Sequence, residues 1–223
     1  FVLCYGFAGG DVSLKITAKL GKMRSLGISD LIGVTSDGIY RATWDTGQII
    51  YHRIDWIKSA RILIRIGIYL VSLSWIFTLL VEGAGVMMNT TPLTSFLTLV
   101  TQITNLEFLM ILLYLSFIQA IIMGFLVAMW SMMLTTDDVS RRAITISAFL
   151  GEQLVLYLVA YFLLITTLSH LYPVADWSTS LITRFIQLVG FILLIEIQIQ
   201  GMLHLLAYQA ELPYAVWRSE IGL

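Results

Sequence analysis

The sequence predicts an all-α integral membrane protein, a bundle of about four transmembrane helices preceded by an N-terminal interfacial, amphipathic segment. Three observations predict it. Of the 223 residues 58% are hydrophobic, mean hydropathy is +0.88, and the charged residues cluster between long uncharged runs. A soluble core helix does not need apolar runs of about twenty residues, whereas a bilayer crossing does. Inside lipid every backbone N–H and C=O must be paired within the protein, which makes those runs helices. The same composition excludes other classes. One cysteine, three prolines and no Cys/His cluster at ligand spacing leave no disulfide scaffold and no metal centre. A net charge of −1 argues against a nucleic-acid partner.

Residues 1–60 form the one extended polar part and 61–223 the transmembrane domain with a short acidic C-terminal tail. The opening Phe1–Gly10 is apolar but too short to span, and reads as the end of a crossing. Position 1 is Phe, and no basic n-region with a cleavage site follows, so no signal peptide is expected. After Lys15, Lys19, Lys22 and Arg24, Ser29 or Asp30 is placed to cap a short interfacial helix whose rough apolar stripe is Leu31, Val34 and Ile39. The first crossing runs from about Arg61 to Gly85, with Arg61 and Arg65 able to snorkel. Polar Asn89-Thr-Thr-Pro92 follows, then Leu93–Val100, which is too short to span. The second crossing, Leu106–Leu134, is long enough to tilt. A charged loop, Thr135–Arg142, leads to a third crossing over Ile146–Tyr172, and Phe185–Ala210 is the fourth.

Lys and Arg concentrate in the N-terminal region, the Asp137–Arg142 loop and the C-terminal tail, so both termini are expected on the positive side, as an even number of crossings requires. Arg184 is the exception. The fourth crossing carries the strongest candidate site. Glu196, Gln200 and His204 interrupt it at i, i+4 and i+8 and therefore share one helix face. At 1.5 Å per residue Glu196 sits roughly 18 Å beyond Arg184, too deep to reach water by snorkelling. Such residues usually face a bundle interior or a hydrated path and mark ion, proton or ligand routes. The alternative is a protonated Glu196 bonded to a neighbouring helix as packing glue. Glu152, near the start of the third crossing, is either a second such acid or an interfacial residue near a helix N-terminus, where negative charge is favourable.

The order of elements resembles the central part of the quinone-site membrane subunit of respiratory complex I, the NADH dehydrogenase subunit 1 family. Leu20-Gly-Lys-Met-Arg24 with Gly27 is similar to the stretch after that family's first crossing. Asp30-Leu-Ile-Gly-Val-Thr-Ser-Asp37, with Arg41, resembles its Gly-Leu-Leu-Gln-Pro-x-Ala-Asp-x-x-Lys segment. Trp130-Ser131, Arg142-Ala143 and Glu152 resemble a Trp-x-Ser, an Arg-Ala and a Ser-x-Glu, with small shifts in spacing. Ala207, Pro213-Tyr214 and Glu220 resemble part of its acidic-loop motif, but Tyr208, Glu211, Ala215 and Arg218 stand where the family has Glu, Arg, Asp and Glu. The family continues for three more crossings beyond the position of Leu223. A piece of a split gene, with a second polypeptide supplying the missing helices, is one arrangement that the resemblance would allow.

The resemblance implies a membrane-arm subunit without a catalytic centre of its own, contacting other membrane-arm and hydrophilic-arm subunits and lipids in the mitochondrial inner membrane. A bacterial or archaeal plasma membrane is the alternative location. Ubiquinone would be bound at a shared site. Glu152, Glu196, Gln200, His204, Glu211 and Glu220 would lie on the quinone tunnel or proton path, and Asp37, Arg41, Asp137, Asp138, Arg141 and Arg142 on matrix-side loops. Two readings compete with this one. A structural accessory subunit would bond the Glu196 face to another helix, with no polar path to Glu152. A small transporter would show broken helices or inverted halves, and neither is visible in the sequence.

Overall fold

The structure, a computed structural model, describes residues 2–26, 44–45, 47–49, 52–88, 92–135, 137–162, 177–211 and 214–216, without the side chains of 2–7, 24, 56 and 177–181. The long helices are α1 (Val2–Ser25), α2 (Asp55–Met87), α3 (Leu93–Leu134), α4 (Asp138–Ala160) and α5 (Trp177–Gln209). No strand occurs among the described residues. Among the described residues four helical stretches are long and apolar enough to cross a bilayer: Ile57–Met87, Leu93–Leu134, Asp138–Ala160 and Ile182–Gln209. The protein is an all-α membrane protein. The interfacial helix expected over 29–41, with Asp37 and Arg41, lies outside the described residues, as does Glu220.

All four spanning helices begin earlier than the sequence reading places them, α2 at Asp55 and α5 at Trp177 among them, and for α3 and α4 the local cause is visible. Leu93–Val100 is the beginning of α3, which runs unbroken for 42 residues. The polar interruption Thr101-Gln-Ile-Thr-Asn105 does not break it, because Thr101 and Thr104 donate to the carbonyls of Leu97 and Val100 at 2.8 and 2.7 Å, holding their hydroxyls on the helix itself. The Pro92 carbonyl receives the N–H groups of Ser95 and Phe96 at the helix start. Helix α4 begins at Asp138 rather than Ile146. Asp137 is its N-cap: the Oδ2 atom accepts the Ser140 N–H at 2.8 Å, satisfying one of the four donors that a helix start leaves over. The expected charged loop is thus mostly the first turn of a helix.

The chain divides into two compact units. The first comprises residues 1–55, 117–157 and 195–223. In it α1 meets α3 through glycine, since a Cβ on Gly124 would overlap the Gly9 carbonyl, and one on Gly9 would overlap the Ala120 carbonyl and the Phe149 ring. Small residues at such crossings let backbones approach and gain packing energy where lipid removes the hydrophobic drive between helices. Val12, Ile16, Met123, Leu126, Val127, Phe149 and Leu206 make the core there. A line of hydroxyls runs beside it. The Thr145 hydroxyl stands 2.7 Å from the Ser131 hydroxyl and 2.8 Å from the Arg141 carbonyl, either of which can accept its one hydrogen, and its oxygen stands 3.4 Å from that of Thr17.

The second unit comprises residues 56–116 and 158–194. Its helices are joined by polar pairs: Ser72 donates to Glu107 Oε1 at 2.8 Å, Trp75 Nε1 to Thr104 at 3.2 Å, and Arg65 Nε to the Tyr114 hydroxyl at 3.2 Å. Arg184, the exception to the charge rule, is held in place. It donates to Asn105 Oδ1 at 3.1 Å and Gln187 Oε1 at 3.0 Å, and its guanidinium lies 5.4 Å from the Phe108 ring centroid.

Candidate functional site

The sequence of α5 places two polar systems on different faces of one helix. Positions 196, 200 and 204 share a face, while 198, 202 and 206 point the other way, about 200° around at 100° per residue. Met202 and Leu206 are buried on that second face, so Gln198 is drawn inward with them. There Gln119 of α3 donates its Nε2 hydrogen to Gln198 Oε1 at 2.7 Å. Gln198 Nε2 in turn donates to the Glu152 carboxylate at 3.2 Å and to the Glu152 backbone carbonyl at 3.1 Å. Both hydrogens of that amide are used, which fixes its orientation. Glu152 is therefore anchored to α5 through Gln198. One residue on, Gln153 is 4% exposed and, among the described residues, neither its Oε1 nor its Nε2 has a partner, nor has the buried Oε1 of Gln119. Buried amides are rarely left unpaired, and ordered water is the usual explanation.

The outer face is differently built. Glu196 and His204 are exposed. Gln200 Nε2 donates to Glu196 Oε1 at 2.8 Å, and the Tyr214 hydroxyl donates to Gln200 Oε1 at 2.8 Å. His204 stacks on Tyr214 with ring centroids 3.9 Å apart and planes 12° from parallel. Its Nδ1 lies 2.8 Å from the Gln200 carbonyl; a carbonyl only accepts, so Nδ1 carries the hydrogen and Nε2 is left for an outside partner. Tyr214 reaches this face because the chain reverses after α5. Glu211, expected on the proton path, is the residue that makes the turn, in the left-handed region at φ 57° and exposed. Its N–H is given to the Tyr208 carbonyl at 3.1 Å.

The four charges of the second connection have different roles. Asp137 caps α4 and is fully exposed; the Ser140 side chain and then the Ser140 N–H hold its carboxyl below the usual carboxylate pKa. Arg141 is 2% exposed, donates Nη1 to Asp138 Oδ1 at 3.0 Å and Nε to the Thr135 carbonyl at 3.3 Å. Arg142 is exposed and donates to the other oxygen of Asp138 at 3.3 Å. Gly21 of α1 admits the Arg141 guanidinium, because a Cβ there would overlap Nη1.

Sequence reasoning missed Glu107, a carboxylate in the apolar run of α3, bonded by Ser72. The signal was present. It is the same interruption of an uncharged helix that singled out Glu196. It also missed Gln198 and Gln119, whose pairing spans 79 positions. Among the described residues no group of three His, Cys, Asp or Glu is placed to hold a metal ion. No protein-family model matches the chain, and no curated protein and no solved structure matches it.

Proposed function

We propose that this chain is a membrane-arm subunit of a larger respiratory assembly of the complex I type, contributing acids and a quinone-facing surface but no catalytic centre of its own. The observation that carries the multi-subunit part is the stripe of exposed Glu196, half-buried Gln200 and exposed His204 on a helix otherwise built for lipid. A carboxylate at that depth is costly against hydrocarbon. Its cover is another polypeptide or a hydrated cavity shared with one. The quinone part rests on the motif resemblance, and the donor set of this stripe is chemically suited to it. His204 and Tyr214 offer a flat stacked surface beside an imidazole nitrogen, the kind of group that meets a quinone carbonyl. When bound, the quinone would accept electrons delivered by other subunits. This chain's residues would orient its ring and hold protons at Glu196 and Glu152.

A structural accessory subunit is the second reading, and one observation favours it. Among the described residues no hydrogen bond joins the Glu196–Gln200–Tyr214 chain to the Glu152–Gln198–Gln119 chain. Purifying the native assembly through a tag on this chain separates the two. The respiratory reading expects an NADH-oxidising arm to co-purify, together with quinone reductase activity that drops several-fold in Glu196→Gln without loss of assembly. An assembly that lacks any NADH-oxidising component overturns it in favour of the accessory role.

A further inference from the structure

At the depth of Glu152 the first unit buries more hydrogen-bonding capacity than its described side chains satisfy. Glu152 and Gln153 follow one another on α4, and Gln119 of α3 is joined to Glu152 through Gln198 of α5. The same level is marked a second time, where the Phe149 ring and the Ala120 carbonyl both border the position a Cβ would take on Gly9. Ala120 adjoins Gln119 in the chain, and Phe149 lies one helical turn before Gln153. Both amides are deeply buried, Gln119 at 1% exposure and Gln153 at 4%.

The hydrogen-bond chain fixes which atoms are left over. The Glu152 backbone carbonyl only accepts, so the end of Gln198 that meets it is the NH2 group. Gln198 then turns its oxygen to Gln119, which answers with its own NH2 group. The end of Gln119 without a partner among the described residues is therefore an oxygen. At Gln153 neither the oxygen nor the NH2 group is paired among the described residues. The deficit is two acceptors and one donor group. A cation would satisfy only the oxygens, and an anion only the NH2 group. A small neutral molecule that both donates and accepts satisfies all three, and water is the smallest of these. Hydrocarbon offers no substitute, and a buried amide left without hydrogen bonds is costly.

We infer that the first unit holds bound water at this level, seated against Gln119 Oε1 and both polar atoms of Gln153, beside Glu152. The water gives Glu152 a polar neighbourhood inside the unit that does not depend on the outer face of α5, where Glu196 stands. Neither the quinone reading nor a partner subunit enters the argument, so the inference stands or falls separately.

The test uses the purified full chain in lipid nanodiscs, mixed rapidly into water labelled with a heavy oxygen isotope and irradiated with X-rays, with oxygen uptake at each side chain read by mass spectrometry. Bound water forms hydroxyl radicals where it sits and exchanges slowly with bulk, so a buried ring beside it is oxidised with the light isotope. Phe149, 1% exposed, is expected to be oxidised, and to carry a larger share of light oxygen than the exposed Tyr208. Leu206, equally buried but away from the unpaired amides in the chain, is expected to stay unmodified. Gln153→Leu removes a donor and an acceptor from the water and is expected to lower Phe149 oxidation roughly two- to tenfold, the factor that one net hydrogen bond carries. Gln153→Asn keeps the amide and is expected to keep the oxidation. Phe149 left unmodified in the wild type, or modified equally in Gln153→Leu, overturns the inference. Should the leucine variant fail to fold, the wild-type isotope ratio at Phe149 decides by itself: a ratio equal to that of Tyr208 overturns it.

Discussion

Gln119 donates to Gln198 across 2.7 Å, and through Gln198 the carboxylate of Glu152 is tied to α5. The amide of Gln198 is bonded at both its oxygen and its nitrogen, whereas the buried oxygen of Gln119 has no partner among the described residues. The first expectation follows from that imbalance. Gln198→Leu removes the one acceptor of Gln119 and a donor to Glu152 together, leaving two polar groups in the unit unpaired. The cost is about 1–3 kcal/mol, the usual penalty for an unsatisfied buried group. Thermal unfolding in detergent measures it.

The glycines separate close approach from open surface. Gly124→Ala places a methyl on the Gly9 backbone, which cannot move aside as a flexible side chain can, and is expected to destabilise the first unit by about 1–3 kcal/mol or more. At Gly151 and Gly201 nothing lies within 4 Å of the added carbon. Alanine at either is expected to be neutral or slightly stabilising, by up to about 1 kcal/mol, from helix propensity alone. A similar loss at all three positions in a folding assay would contradict the α1–α3 crossing.

Asp137 makes the start of α4 sensitive to acid. Its folded pKa lies below the unfolded value because the ionised carboxylate accepts from Ser140. The stabilising contribution is therefore complete above the unfolded carboxylate pKa of about 3.9 and is lost as pH falls through the lower folded value. Asp137→Asn retains a capping oxygen that does not titrate. The wild type is expected to lose stability relative to that variant only below about pH 4, and a difference that instead develops near neutrality would assign the effect to another group.

The stripe on α5 predicts different outcomes for two replacements of one acid. Glu196→Gln keeps an oxygen for Gln200 and should leave assembly with partner chains intact. Glu196→Leu removes the acceptor and sets an apolar side chain in a polar contact. The expectation is a clear loss of the assembled complex on native gels for Leu and none for Gln. Equal assembly of both would show that the stripe faces lipid.

Spacing alone put Glu196, Gln200 and His204 on one face, because i, i+4 and i+8 of a helix coincide whatever surrounds them. It could not show that Tyr214 completes the face. That depends on the turn made by the left-handed Glu211, a residue type that seldom marks such a turn. Charge and hydropathy marked the membrane segments but placed the starts of all four helices too late, those of α3 and α4 for a visible reason. Thr and Asp residues that read as loop formers can instead bond their own helix or cap it, and which they do is settled by neighbours.

Composition and periodicity thus determined a helical membrane protein, its crossings and the acids that a lipid-facing helix would not carry without cause. The tertiary structure decided which of those acids are anchored and to what. Gln119 and Gln198, Arg141 and Gly21, and Ser72 and Glu107 meet only because helices distant in sequence cross at particular depths, and side-chain hydrogen bonds are too short in range to be read from one strand of sequence.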